Sequence, residues 1–229
     1  KFMQELVHIP SPNPPGDTRA AMDYVRAYLD RRGLRYTMYN RDEKMPNLIA
    51  TQDFGPGEKH LVLNGHIDVF PVESVVGWSQ HPWHGIAEGT IWGRGSADMK
   101  VGTTASIMAY VYLTRLAEQL VGRATLTVVS DEENFGPNGT RHLFEVCPEL
   151  ISGTALLSGE PSGSRVVRFG EKGAVWLRVS VETEGGHGAY PHLSDNAIEK
   201  AYELMADLKR LSIIEFAEPE VVRSSLEQA

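Results

Sequence analysis

Two hydrophobic periods take turns along this chain. From Asp17 to Arg32 the apolar residues Ala21, Met22, Val25, Tyr28 and Leu29 recur at helical spacing, and Gly33 is a natural stop. Val101–Leu116 and Ala197–Leu211 read as further helices, the second amphipathic. Short apolar runs at Asn47–Thr51, Leu61–Asn64, Ala124–Ser130 and Thr154–Ser158 read as strands, the last two as buried ones. Helices alternating with strands predict an α/β domain with a mostly parallel sheet flanked by helices. Residues 71–95 are rich in Gly, Pro and Trp and predict a long loop. Lys172–Thr183 then changes style. Val175, Leu177, Val179 and Val181 alternate with Trp176, Arg178, Ser180 and Glu182, which predicts a strand with one buried face. A boundary near residue 170 therefore divides the chain into 1–169 and 170–229.

Bulk properties narrow the partners. The 229 residues carry a net charge of −8, which argues against nucleic acid and anionic membrane. Cys147 is the only cysteine, so no internal disulfide can form and a reducing, cytoplasmic setting is expected. No apolar run approaches the roughly 20 residues that span a bilayer. The chain starts at Lys1, inside a helical stretch, so the presence of a leader stays open.

Chemistry concentrates where strands end. His66 follows the run Leu61–Leu63, and Asp68 lies two residues on, facing the same way if the strand continues. An imidazole with a carboxylate beside it suits a metal ligand and the group that orients it. Three acidic sites follow, each at a strand end or in the loop just after one. They are Asp98 in GlyArgGlySerAlaAspMetLys (93–100), AspGluGlu at 131–133 and Glu160 in SerGlyGluProSer. In open α/β sheets, ligands bind outside the carboxyl ends of strands. Carboxylates gathered there repel one another, and a divalent cation removes that cost. One His with several carboxylates suits zinc, manganese or cobalt. Two such ions would polarise a carbonyl and activate water, with one of Glu132 and Glu133 as ligand and the other as base. Each acidic site also has an ordinary reading: a solvated turn at 131–133, a turn at Glu160, a helix N-cap at Asp98.

These motifs resemble the M20 metallopeptidase and amidohydrolase family, the group of acetylornithine deacetylase, succinyl-diaminopimelate desuccinylase, aminoacylase and glutamate carboxypeptidase. The matching segments are IleProSerProAsnProProGly (9–16), GlyHisIleAspVal (65–69), 93–100, 131–133, GlyGluPro (159–161) and GlyHisGlyAlaTyrProHis (186–192). The resemblance implies a two-metal hydrolase of N-acyl amino acids or small peptides. It makes His66, Asp98, Glu133 and Glu160 metal ligands, with Asp98 bridging two zinc ions. It makes Asp68 the orienter of His66 and Glu132 the general base. It makes residues 170–229 the start of a lid domain that mediates homodimerisation, with His187 reaching a partner's active site as oxyanion donor. The family's second metal takes a further, late histidine, and no His follows His192. The chain is therefore expected to be a fragment, holding its first metal better than its second and turning over little alone.

Two other activities fit less well. A serine hydrolase needs a GlyXaaSerXaaGly elbow, which is absent. Gly93 and Gly95 begin a dinucleotide fingerprint, but its last position is Asp98. An M20-type dipeptidase or carboxypeptidase and a metal-binding relative without chemistry remain alternatives to a deacylase. Trp78, Trp83, Trp92, His81 and His84 are read as loop packing, and Cys147 as buried.

Overall fold

The computed structural model describes residues 1–87, 89–163, 165–170, 173, 175–211 and 219–227. The chain divides into two compact units, Lys1–Arg168 and Phe169–Ala229. The first is an α/β unit in which the predicted alternation is realised. Helices α1 (Phe2–His8) and α2 (Arg19–Asp30) precede strands β1 (Thr37–Tyr39), β2 (Asn47–Asp53) and β3 (His60–His66). A hairpin of β4 (Gly85–Ala87) and β5 (Thr90–Trp92) lies inside the segment read as loop. Helix α3 (Lys100–Arg115), strand β6 (Arg123–Val129), helices α4 (Thr140–Val146) and α5 (Pro148–Ile151), and strand β7 (Ala155–Ser158) complete the unit. No described helix is long and apolar enough to cross a membrane.

The sheet order is β1-β2-β6-β3-β7. It is mixed: β6, β3 and β7 are parallel, whereas β1 and β2 pair antiparallel. Leu48 and Ala50 point to one face, where the apolar sides of α1, α2 and α3 supply Leu6, Met22, Val25, Leu29, Ile107 and Tyr110. Ile49 points to the other face, with Val129, Leu143, Cys147 and Ile151. The α2 residues singled out from the sequence are all buried.

The parallel trio positions the site. Because β6, β3 and β7 run the same way, their carboxyl ends open at one edge of the sheet. His66 pairs with Val129 in register, so the segment after β6 begins beside the imidazole. Helix α3 starts at the same edge. A Cβ at Gly102 in its first turn would overlap the carbonyl oxygen of Gly159, just past β7. Only glycine lets the two backbones meet.

Two expectations need correction. β7 is an outer strand, not a buried one: Leu156 and Leu157 are 58% and 59% exposed. Its one strand neighbour among the described residues is β3, so an apolar run identified the strand but not its burial. In the second unit, residues 175–183 form no strand, and Lys172 and Ala174 lie outside the described residues. Both faces are open, with Val175 and Trp176 more than 80% exposed. Alternation creates a strand only where another strand accepts its hydrogen bonds, and none of the described residues does so. The unit does contain α6 (Ala197–Arg210), capped by the Asn196 side chain accepting from Ile198 N, and α7 (Glu220–Glu227).

Gly102→Ala is expected to lower stability by about 1–3 kcal/mol, the usual penalty for overpacking. Urea unfolding measures this through the midpoint at constant slope; an unchanged midpoint would remove the Gly102–Gly159 contact from the account.

Candidate metal centre

His66 ends β3 almost fully buried. Its Nδ1 lies 2.9 Å from the main-chain oxygen of Asp68 and 3.4 Å from that residue's carboxylate. The backbone carbonyl therefore makes the hydrogen bond that fixes the ring, and the carboxylate adds charge behind it. The Asp68 carboxylate is occupied elsewhere: Oδ2 accepts from Asn13 Nδ2 at 2.9 Å and from Glu133 N at 3.1 Å. Asp68 thus links the ring of His66 to the backbone that carries Glu133.

The other ring nitrogen faces acid. Nε2 is 3.2 Å from Asp98 Oδ1, 3.4 Å from Glu160 Oε1 and 3.6 Å from Glu132 Oε2. It is buried and makes no hydrogen bond. Each acidic residue arrives on a different segment. Asp98 precedes α3, whose N-cap is Met99, so its side chain is not a cap. Glu132 follows β6 and Glu160 follows β7. Two overlapping sets could hold a cation: His66 with Glu132 and Glu160, and His66 with Asp98 and Glu133, each with its ligand atoms within 4.8 Å of one another. The four sites marked in the sequence therefore do come together.

The electrostatics ask for positive charge. Burial alone would lower the His66 pKa, but Asp68, Asp98 and Glu160 outweigh it and push it up to about 12. A protonated imidazole is the one cation this cluster can make for itself. Asp98 is held low, chiefly by its contact with His66. Asp68 is also low: burial raises it, and His66, Asn13 and the Glu133 amide together lower it further. Glu132 and Glu133 shift the opposite way. Burial first, then neighbouring carboxylates, raise Glu132, and burial with Asp98 pushes Glu133 up to about 7. Glu133 Oε1 accepts from Phe70 N at 2.8 Å. An orphaned buried nitrogen, hard oxygen donors around it and two carboxyls whose pKa values are pushed upward fit a divalent cation.

Two residues that frame the centre lie in motifs quoted from the sequence but had no role assigned there. Asn13 Nδ2 bridges Asp68 and Asp131, at 2.9 and 3.0 Å. It is carried by a strap in which Asn13 N donates to Val69 O and Val69 N to Ser11 O. Asp131 has φ +69, a left-handed turn that Asp tolerates better than most residues. Its Oδ2 accepts from the backbone and side chain of Asn138, closing the loop that presents Glu132 and Glu133. The breaker-rich run at 11–16 marked the strap as a loop but gave no sign that Asn13 turns inward. His187 belongs to the second unit, where it is exposed and its Nδ1 accepts from Ala189 N at 3.1 Å.

The chain is similar to proteins of a known family. Residues 62–219 match the profile of Peptidase family M20/M25/M40. A succinyl-diaminopimelate desuccinylase of Cereibacter sphaeroides is 31% identical over 200 residues, 85% of this chain and 52% of that protein. The enzyme of the same name from Paracoccus denitrificans is 33% identical over 172 residues, 72% of this chain and 45% of that one. The chain spans about half the length of these curated relatives. Among solved structures, the M20 family metallo-carboxypeptidase Sso-CP2 from Sulfolobus solfataricus superposes with a TM-score of 0.58 at 21% identity, over 68% of this chain and 35% of that one. A putative aminohydrolase from methicillin-resistant Staphylococcus aureus gives 0.53 at 17% identity, over 96% and 55%. Identities this low establish the fold alone.

A cation at this centre should stabilise the folded chain. At a hundredfold excess over its dissociation constant, zinc is expected to add about 2.7 kcal/mol, and a chelator to remove it. Thermal unfolding with and without metal reads this directly. His66→Ala should abolish the shift; an equal shift in that variant would place the cation elsewhere.

Proposed function

The chain belongs to the M20/M25/M40 peptidase family, and from that premise we propose that it carries the metal-binding half of a hydrolase acting on N-acyl amino acids. The observation that carries this reading is the meeting of Asp98, Glu132 and Glu160 on the buried, unpartnered Nε2 of His66. His66, Asp98, Glu133 and Glu160 would hold two divalent ions, zinc in preference to cobalt or manganese. When bound, such a pair supplies Lewis acidity, lowering the pKa of water and polarising the scissile carbonyl. The named residues 1–169 form the catalytic part, and 170–229 the beginning of a lid that would join two copies.

The chain's own groups then divide the work. His66 is fixed through Nδ1 by Asp68, so its Nε2 can only face the carboxylates. Glu132 serves as general base. It takes a proton from the attacking water and delivers it to the leaving amine. Burial and the neighbouring carboxylates raise its pKa, which makes it a stronger base than a free carboxylate. Glu133 is the better ligand of the adjacent pair, because its backbone amide and its carboxylate are both already tied, to Asp68 and to Phe70 N. His187 of a second copy would donate to the oxyanion, a contribution typically worth about 10²–10³ in rate. The relatives named succinyl-diaminopimelate desuccinylases favour an acyl group that itself bears a carboxylate.

Glu132→Gln tests the base. In the complete, metal-loaded enzyme it should retain both ions and lose about 10²–10⁴ in kcat, the range for general-base catalysis. Metal analysis beside steady-state kinetics on an N-acyl amino acid separates the two effects. Near wild-type turnover would take Glu132 out of the role, and loss of metal would make it a ligand.

A further inference from the structure

A second built feature lies beside the metal centre. A cavity of about 500 Å³ is lined by Trp78, Trp92, Arg94, Gly95 and Asp98, among others. Asp98 belongs to both places: its Oδ1 faces His66 Nε2, and the residue also forms part of this cavity wall.

Arg94 is the unexplained residue. Its Nε is buried and makes no hydrogen bond. Among the described residues its guanidinium has no hydrogen bond or ion pair of any kind. Its neighbours are aromatic: the guanidinium carbon lies 5.4 Å from the Trp78 ring centre and 6.0 Å from that of Phe70. Rings hold a guanidinium in place by cation–π attraction but leave its N–H edge unsatisfied. A buried N–H without an acceptor, such as Nε here, is costly. Asp98 is near enough to feel the Arg94 charge, but no hydrogen bond or ion pair joins the two among the described residues, and its Oδ1 lies against His66.

The backbone under Arg94 is held as firmly as the ring contacts. Arg94 N donates to Pro82 O at 2.8 Å. Gly93 and Gly95 flank it at φ +136 and +86, conformations that favour glycine. A Cβ at Gly93 would lie 2.7 Å from Pro82 O, and one at Gly95 2.8 Å from Val69 Cγ1. The chain gives up side chains on both sides in order to press this turn against its neighbours, and the guanidinium is thereby set at a fixed place.

We propose that Arg94 is a specificity-determining residue that receives a carboxylate of the substrate in the cavity walled by Trp78 and Trp92. This rests on the hydrolase reading above and deepens it. The planar fork of an arginine suits a carboxylate bidentately, which a lysine cannot match. The tryptophan walls would cover the aliphatic part that carries the acid. The carboxylate could come from the acyl group or from the amino acid, and the two sources are separable by experiment.

Tryptophan fluorescence of the complete, metal-loaded enzyme is titrated with three probes: succinate for an acyl-side acid, alanine for the amino-acid α-carboxylate, and neutral succinamide as the uncharged counterpart of succinate. One acid is expected to bind at least about tenfold more tightly than succinamide, succinate if the acid sits on the acyl group and alanine if it sits on the amino acid. Arg94→Gln should cost that acid about 10–100-fold and leave succinamide unchanged. Arg94→Lys keeps the charge and most of the stem; it should lose part of the affinity for the acid and none for succinamide, and it decides the matter if Arg94→Gln misfolds. Equal affinity of the acid for wild type and either folded variant overturns the proposal, as does the failure of both acids to bind. Turnover of acylated amino acids with Arg94-independent binding would sink the pocket and keep the hydrolase. Arg94-dependent binding of an acid by an enzyme that cleaves no acylated amino acid would sink the hydrolase and keep the pocket.

Discussion

The contact on which this centre depends is between two backbones. Gly102, in the first turn of α3, touches Gly159, just after β7, and neither position has room for a side chain. That contact lets a helix start in the crevice at the carboxyl ends of the parallel strands. Asp98, just before the helix, and Glu160, just after the strand, are then both carried to His66 at the end of β3. Thr103 Oγ1 adds a hydrogen bond to His66 O at 2.6 Å and secures the helix to the same strand. Side-chain chemistry here follows from a main-chain approach that could be made only without side chains.

Once assembled, the cluster carries more negative charge than its surroundings can satisfy. Its response is uneven, and the unevenness has a structural source. Asp68 and Asp98 stay ionised because hydrogen bonds or the imidazole compensate them. Glu132 and Glu133 lie further from that compensation and are pushed toward the neutral form. A cation entering beside Nε2 would replace the proton that the imidazole otherwise holds and relieve the glutamates together. The directions of these shifts thus separate the carboxylates already compensated by the framework from the two glutamates that a cation would relieve.

The frame of this site was readable in the sequence because it obeys short-range rules. Strand ends, helix starts and acidic residues can be located by period and spacing, and His66, Asp98, Glu132, Glu133 and Glu160 fell into place that way. Burial by tertiary partners could not be read. The apolar run of β7 gave a strand but hid its position at the sheet's outer side, and the alternation at 175–183 gave no strand because no described partner accepts it. Asn13 and Asp131 were missed for a related reason: their work is to bond with segments more than fifty residues away. Arg94 lies in the same motif as Asp98, and what sets it apart, a buried Nε with no hydrogen bond among the described residues, follows from tertiary packing that no spacing rule encodes.

The segment 93–100 shows how closely these parts are tied. Arg94 turns to the aromatic cavity, Asp98 to His66, and Lys100 runs the other way into the protein. Lys100 is fully buried, and its Nζ donates to Leu6 O at 3.1 Å and Ile9 O at 2.5 Å. Burial draws its pKa down to about 7, with Asp68 pulling the other way. An amine donates to carbonyls whether it is charged or neutral, so this anchor holds across that titration. The carbonyls it grips lead directly into the strap that carries Asn13, and Asn13 in turn holds Asp68 and Asp131. The path closes on itself: from Asp98 through Lys100 to the strap, from the strap through Asn13 to Asp68, and from Asp68 to both His66 and Glu133. A ligand set spread over the whole unit can be held to ångström tolerance only if its supports are linked, and this eight-residue stretch supplies the link.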